Sequence, residues 1–252
     1  MKPTLPAWRR EQIRAASTSH AGNAAMLVHG HLVHELLTAY EGELAGRGAL
    51  DDARDPAEGR DPEGWILTHS GVRFWPLEPL AAEVRIEDIA WGLSHLCRFA
   101  GHVRGFYSVG QHSVLVSHAC HYDDALWGLL HDATEAYLVD VPKPVKRAPA
   151  LAGYRAAERR LELAVAEAFG LPHAMPASVH VADARLLATE KRDLRAHRDG
   201  LPGATPLSVR IEPWSPERAR DEFMRRFEEL QARRAAAAPA EETRLRAAGE
   251  GR

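Results

Sequence analysis

The chain has 252 residues, enough for one domain with an appendage and for a sizeable buried core. Apolar residues make up 45% and charged residues 27%, the balance of a soluble globular protein, and a net charge of −3 gives no sign of a general nucleic-acid or membrane-surface binder. Two counts stand out. There are 14 histidines, and lysine is confined to Lys2, Lys143, Lys146 and Lys191, so arginine supplies nearly all the positive charge. The two cysteines, Cys97 and Cys120, form no C-x-x-C motif, and the default compartment is a reducing cytoplasm. No apolar run approaches the roughly 20 residues of a membrane span, and the N-terminus lacks the apolar core of a signal peptide.

In chain order, residues 1–22 read as an irregular arm. Residues 23–46 carry apolar side chains at helical spacing (Met26, Leu27, Leu32, Val33, Leu36, Leu37, Tyr40, Leu44), interrupted at Gly30. Residues 48–64 are a charged, Gly/Pro-containing linker, which sets residues 1–62 apart as an N-terminal extension. Two short β-prone runs flank Ser70-Gly71 and predict a small hairpin. A helix is predicted from Ile86 to about Cys97, a second from Ser108 to about His121, and a third from Asp124 to about Val139, stopped by Pro142 and Pro144. Residues 151–169 are amphipathic and end at Gly170, residues 176–197 form another helix with Pro at its first turn, and a last helix runs from Ser215 to about Arg233. The tail, 234–252, lacks bulky apolar residues and is expected to be frayed or disordered. The fold class is therefore all-α, a helical bundle over 63–233 with one hairpin ahead of it.

The chemistry concentrates in LLHDATEAYLVDVPKPVK, residues 129–146. His131 and Asp132 are adjacent on an otherwise apolar helix, so an imidazole and a carboxylate can address one ion. Glu135 lies four residues after His131 and shares its face. The preceding helix offers His112 and a later one Asp183. Two imidazoles and two carboxylates from three helices suit one catalytic divalent ion (Mn, Co, Fe, Ni, Zn or Mg) better than a closed structural zinc site. Against this, His131-Asp132 also reads as a satisfied polar pair, His112 as a packed or capping histidine, and Glu135 as a plain surface glutamate.

The order His…His-Asp…Asp resembles the HD superfamily of metal-dependent phosphohydrolases. It is most similar to the branch holding bacterial 5′-deoxynucleotidases and phage deoxyadenosine-triphosphate triphosphohydrolases. The likeness rests on IEDIAWGLSHLCRF (86–99), YSVGQHSVLVSHA (107–119), LLHDATEAYLVDVPKPVK (129–146) and ADARLLATEKRDL (182–194), and covers about residues 64–232. The resemblance implies an HD helical bundle with metal ligands His112, His131, Asp132 and Asp183. It implies Glu135 as the acid/base that orients the attacking water, with Asp140 in the same pocket. Arg98 falls where these enzymes place a phosphate-binding arginine. Phe99 stands where the deoxynucleotidases carry tryptophan. Lys143 and Lys146, just past the helix end, are placed to meet phosphate, lysine being a flexible point charge suited to it. Gln111, beside His112, is a further substrate-contact candidate.

The remaining histidines read differently. His118 and His121 point away from His112 at about 100° per residue. His180 reads as a non-ligand, and His29, His31 and His34 do not share one helix face. Glu190 and Asp193 are expected to be solvated or salt-bridging. The implied activity is hydrolysis of (deoxy)nucleotides at the α-phosphate, tri-, di- or monophosphates of a deoxyadenosine type, releasing nucleoside and (poly)phosphate. The alternatives are a monophosphate-specific 5′-deoxynucleotidase and a non-catalytic nucleotide-sensing module. The resemblance also implies a homo-oligomer, with residues 1–62 as a dimerisation arm.

Overall fold

The structure is a computed structural model and describes residues 59–195 and 204–249. The chain divides into two compact units, Met1–Glu58 and Gly59–Arg252. The helix predicted over 23–46, with His29, His31 and His34, lies outside the described residues.

Two strands, β1 (Ile66–Leu67) and β2 (Arg73–Phe74), pair antiparallel with Ile66 opposite Phe74. The turn between them needs Gly71, whose φ of 80° lies in the left-handed region. The helices follow: α1 (Ile86–His95), α2 (Val109–Ala119), α3 (Ala125–Leu130), α4 (Glu135–Leu138), α5 (Lys143–Lys146), α6 (Ala152–Ala168), α7 (Ala177–Leu194) and α8 (Pro216–Gly249). The described residues are thus mostly helical, with the hairpin ahead of the bundle. No helix among them is long and apolar enough to cross a membrane.

The hairpin is tied to the bundle at both ends. Ser70 donates from its backbone N and its Oγ to the buried Asp88 of α1, at 2.6 and 2.8 Å. Phe74 is fully buried and stacks on Tyr137 of α4, ring centroids 4.1 Å apart. α2 is the central rod. It packs against α1, α3, α7 and α8, and nearly all its side chains are buried. Ser108 caps it by accepting from the Gln111 N–H at 3.0 Å. The close approach of α3 to α2 depends on Gly128. A Cβ there would lie 2.6 Å from Cys120 Sγ and 3.1 Å from the Ser117 Cα.

Two expectations are corrected. The helix predicted from Asp124 to Val139 is broken into α3 and α4 by a tight turn over 131–134, where the Ala133 N–H donates to the Leu130 carbonyl and the Glu135 N–H to the Asp132 carbonyl, both at 2.9 Å. These are bonds between residues three apart, a winding that hydrophobic periodicity does not separate from α over one turn. The last helix does not stop near Arg233. Its backbone stays helical to Gly249, because alanine, glutamate and arginine are strong helix formers without needing a core to pack on.

Candidate metal centre

His112, in the first turn of α2, His131 and Asp132, in the turn after α3, and Asp183, on α7, meet where the three elements converge. His112 Nε2 lies 3.2 Å from His131 Nε2, 3.3 Å from Asp183 Oδ1 and 3.5 Å from Asp132 Oδ2. His131 Nε2 is 3.3 Å from Asp132 Oδ2. The His112, His131 and Asp132 donor atoms all fall within 4.8 Å of one another, a group able to hold a metal ion.

The outer nitrogens decide what the inner ones present. His131 Nδ1 faces the Gly128 carbonyl at 2.8 Å, so it carries the proton and Nε2 keeps a lone pair. His112 Nδ1 donates to Glu190 Oε1 at 2.7 Å, which turns its Nε2 inward likewise. Two imidazole nitrogens and the Asp132 carboxylate therefore share one place, with Asp183 Oδ1 against His112 Nε2 at its edge. Such a set is stable only around a positive charge, a proton or a cation. The titration of the groups agrees. Burial lowers the pKa of His131 and keeps it neutral. For His112, burial and Arg98 act downward, but Glu190 and Asp183 outweigh them and raise it to about 9. Burial acts upward on Asp132 and Asp183, yet both stay below the usual carboxylate range, Asp132 through His131, His112 and Arg98, and Asp183 chiefly through its bond with His112. In the chain alone, then, a proton on His112 balances the carboxylates. The His112, His131 and Asp132 donors suit a divalent ion of mixed nitrogen and oxygen preference.

This centre opens into a cleft of about 1070 Å³ whose lining includes Arg98, Phe99, Asp132, Glu135, Asp140, Lys143, Lys146 and Asp183. Of the sequence-derived site residues, all four carboxylates, Arg98, Phe99 and both lysines thus reach one space. Glu135 opens α4 and is buried, with no hydrogen-bond partner for its Oε2. Burial, then Asp132 and Asp140, push its carboxyl well above the usual carboxylate range. Arg98 reaches Asp132 Oδ2 at 3.3 Å and Glu190 Oε1 at 3.3 Å, and its guanidinium lies 5.3 Å from the Phe99 ring centroid. Lys146 is paired with Glu158 at 2.5 Å at the cleft edge, so its charge is shared rather than wholly offered to the cleft.

One sequence reading is corrected and two are resolved. Gln111 does not line the cleft: it is buried, its Nε2 donates to the Glu212 carbonyl and its Oε1 accepts from the Trp214 N–H, both at 2.8 Å, so it fastens the segment before α8. Of the two readings of Glu190, solvated or salt-bridging, the structure has the second. Glu190 is fully buried and holds both His112 and Arg98. The Asp193 side chain is also nearly covered, bonded by Arg192 at 2.7 Å and by the Ile211 N–H at 3.0 Å. The sequence carried a signal for Glu190 that went unused. It stands seven residues after Asp183, two turns on, and so on the same side of α7. His118, His121 and His180 are exposed, as expected.

The arrangement defines a helical protein with a metal-competent centre at the floor of a polar cleft. No family model matches the chain. It is 40% identical over 173 residues to the uncharacterized protein YfdR of Escherichia coli, covering 66% of this chain and 95% of YfdR. It is 39% identical over 124 residues to an uncharacterized protein of Rhodobacter capsulatus, covering 46% of this chain and 63% of that protein. The chain belongs to the YfdR family.

Proposed function

We propose that this protein is a divalent-metal-dependent nucleotide phosphohydrolase of the HD superfamily, cleaving (deoxy)nucleotides at the α-phosphate. The observation that carries the reading is the convergence of the His112, His131, Asp132 and Asp183 side chains beside a buried Glu135 in a cleft also lined by Arg98, Lys143 and Lys146. His112, His131, Asp132 and Asp183 would hold the ion. The ion supplies charge neutralisation on the phosphoryl oxygens and eases deprotonation of water. Arg98 offers a fixed cation for a phosphoryl oxygen, kept charged by Glu190 and Asp132. A water oxygen bonds to phosphorus and the bond to the 5′-oxygen breaks. Glu135 gives its proton to that departing oxygen, and the proton shed by the water replaces it through solvent. Asp140, lining the same cleft, raises the Glu135 pKa and so helps keep that proton in place.

The test is incubation of the full chain with Mn²⁺ or Co²⁺ and a panel of mono-, di- and triphosphates, with product identification. Nucleoside plus the intact phosphate chain is the expected result, abolished by His131→Ala. Glu135→Gln should cut turnover by about 10²–10⁴-fold. Glutamine copies the protonated glutamate, so folding and metal uptake should stay near wild type. Hydrolysis of monophosphates alone would make the protein a 5′-deoxynucleotidase. No cleavage by wild type, or equal cleavage by His131→Ala, overturns the reading and leaves a binding module.

A further inference from the structure

The cleft wall over residues 140–146 follows a residue in a conformation its type avoids. Val139 has φ 61° and ψ 159°, a backbone region that glycine occupies freely and a β-branched residue enters only at a cost. Its side chain is 55% exposed, so packing does not hold it there. Asp140, the next residue, lines the cleft, and Val141, Pro142 and Lys143 follow along the same wall. A return of Val139 to an ordinary negative φ would swing the chain from Asp140 onward.

The fastenings of this wall come from one helix. α6 buries Ala157, Leu161, Ala164 and Val165, and side chains of its first two turns reach the wall. The Tyr154 hydroxyl donates to the carbonyls of Val139 and Leu138, at 3.0 and 3.2 Å, its single proton shared between the two. Arg155 Nη1 donates to the carbonyls of Lys146 and Ala148, at 2.7 and 2.9 Å. Glu158 accepts from Lys146 Nζ, and that ammonium lies 5.8 Å from the Tyr154 ring centroid. Of the three α6 side chains, Tyr154 alone grips the strained turn, since Arg155 and Glu158 act at Lys146 and beyond.

We infer that Tyr154 is a positioning residue: its hydroxyl holds Val139 in the strained conformation and so fixes the place of Asp140 in the cleft. The hold on the turn stands on geometry alone. Its consequence for turnover, through the action of Asp140 on Glu135, rests on the phosphohydrolase reading.

Hydrogen exchange of the full chain, read by mass spectrometry on fragments covering 139–148, tests the hold without any substrate. Tyr154→Phe keeps the ring beside Lys146 and removes the hydroxyl. Exchange in 139–148 should quicken by about 3–10-fold, the scale of one lost hydrogen bond, while fragments covering 157–166 in α6 stay as in wild type. That contrast separates a released turn from a helix that has come loose. Val139→Gly added to Tyr154→Phe should bring the exchange back toward wild type, because glycine takes this conformation without strain. Unchanged exchange in Tyr154→Phe, or a double variant no better protected than Tyr154→Phe, overturns the hold. Turnover of the manganese-loaded chain tests the path through Asp140. Tyr154→Phe should lower kcat by about 3–10-fold with KM little changed, and should add nothing to Asp140→Asn, because the hydroxyl acts through that carboxylate. Equal losses in both backgrounds overturn positioning through Asp140. If no ester is hydrolysed and the exchange behaves as described, the hold stands and the phosphohydrolase reading falls.

Discussion

Glu190 joins the two halves of the site through one carboxylate. It holds the outer nitrogen of His112 and the guanidinium of Arg98, so ligand geometry and the phosphate-facing cation are set by the same buried group. Burial alone would raise its pKa, but Arg98 and His112 keep it ionised. Glu190→Gln keeps an acceptor for His112 and removes the charge. Metal affinity should fall about 10–100-fold, the usual cost of losing a partner behind a ligand. Chelator competition with Co²⁺ measures it, and an unchanged affinity would show that Glu190 only fills space. His112 gives a companion prediction in pH. Its pKa rises from 6.5 to about 9 on folding, so the stabilisation from its proton is complete below 6.5 and is lost as pH climbs through about 9. The ion must displace that proton. Metal affinity should therefore rise with pH, about tenfold per unit, and level off near pH 9. A flat profile between pH 7 and 9 would mean that His112 is already neutral in the metal-free chain.

At the level of elements, the site is a junction: α2 supplies one ligand, the turn after α3 two, and α7 the fourth along with Glu190. What was legible in the sequence follows from that. The adjacent His131-Asp132, and His112 in its own helix, are visible because each sits in a helical pattern that places it. Asp140, Glu135, Arg98 and the two lysines near α5 came with the family resemblance, and the fold brings them to one cleft. Glu190 was missed because a charged residue in an amphipathic helix reads as solvent-facing until the neighbouring helix is known. Arg104, Lys191 and Arg195, which also line the cleft, were missed because they come from two segments far apart in sequence. Gln111 was misplaced because adjacency to a ligand on a helix turns a side chain about 100° away from it. The junction also predicts a cost. Gly128 lets α3 touch α2, and its carbonyl accepts from His131. Gly128→Ala meets Cys120 Sγ at 2.6 Å and the Ser117 backbone at 3.1 Å, so the helices must part. The expected loss is about 1–3 kcal/mol of stability. Because His131 moves with the Gly128 carbonyl, metal affinity should fall in the same variant. Urea denaturation beside a Co²⁺ titration checks both, and a stable variant with intact metal binding would place the close contact elsewhere.

Across the whole molecule, a net charge of −3 hides a local excess of the opposite sign. The cleft lining carries six lysines and arginines against four carboxylates, Asp132, Glu135, Asp140 and Asp183. A divalent ion on the ligands adds two more positive charges at the floor. An anion approaching the molecule is repelled by the average surface and drawn to the cleft mouth, where low-dielectric walls concentrate the field. Such attraction is screened over about 10 Å at 0.1 M salt and about 30 Å at 0.01 M. The association rate of a polyanion should therefore fall steeply with ionic strength, and more steeply for tripolyphosphate than for orthophosphate, because the force scales with ligand charge. Stopped-flow binding of both anions from 0.01 to 0.3 M salt reads this out. The tripolyphosphate rate should drop by about tenfold or more across the series. Parallel slopes for the two anions would place the attraction in the centre alone. A steeper slope for tripolyphosphate places the attraction in the cleft as a whole.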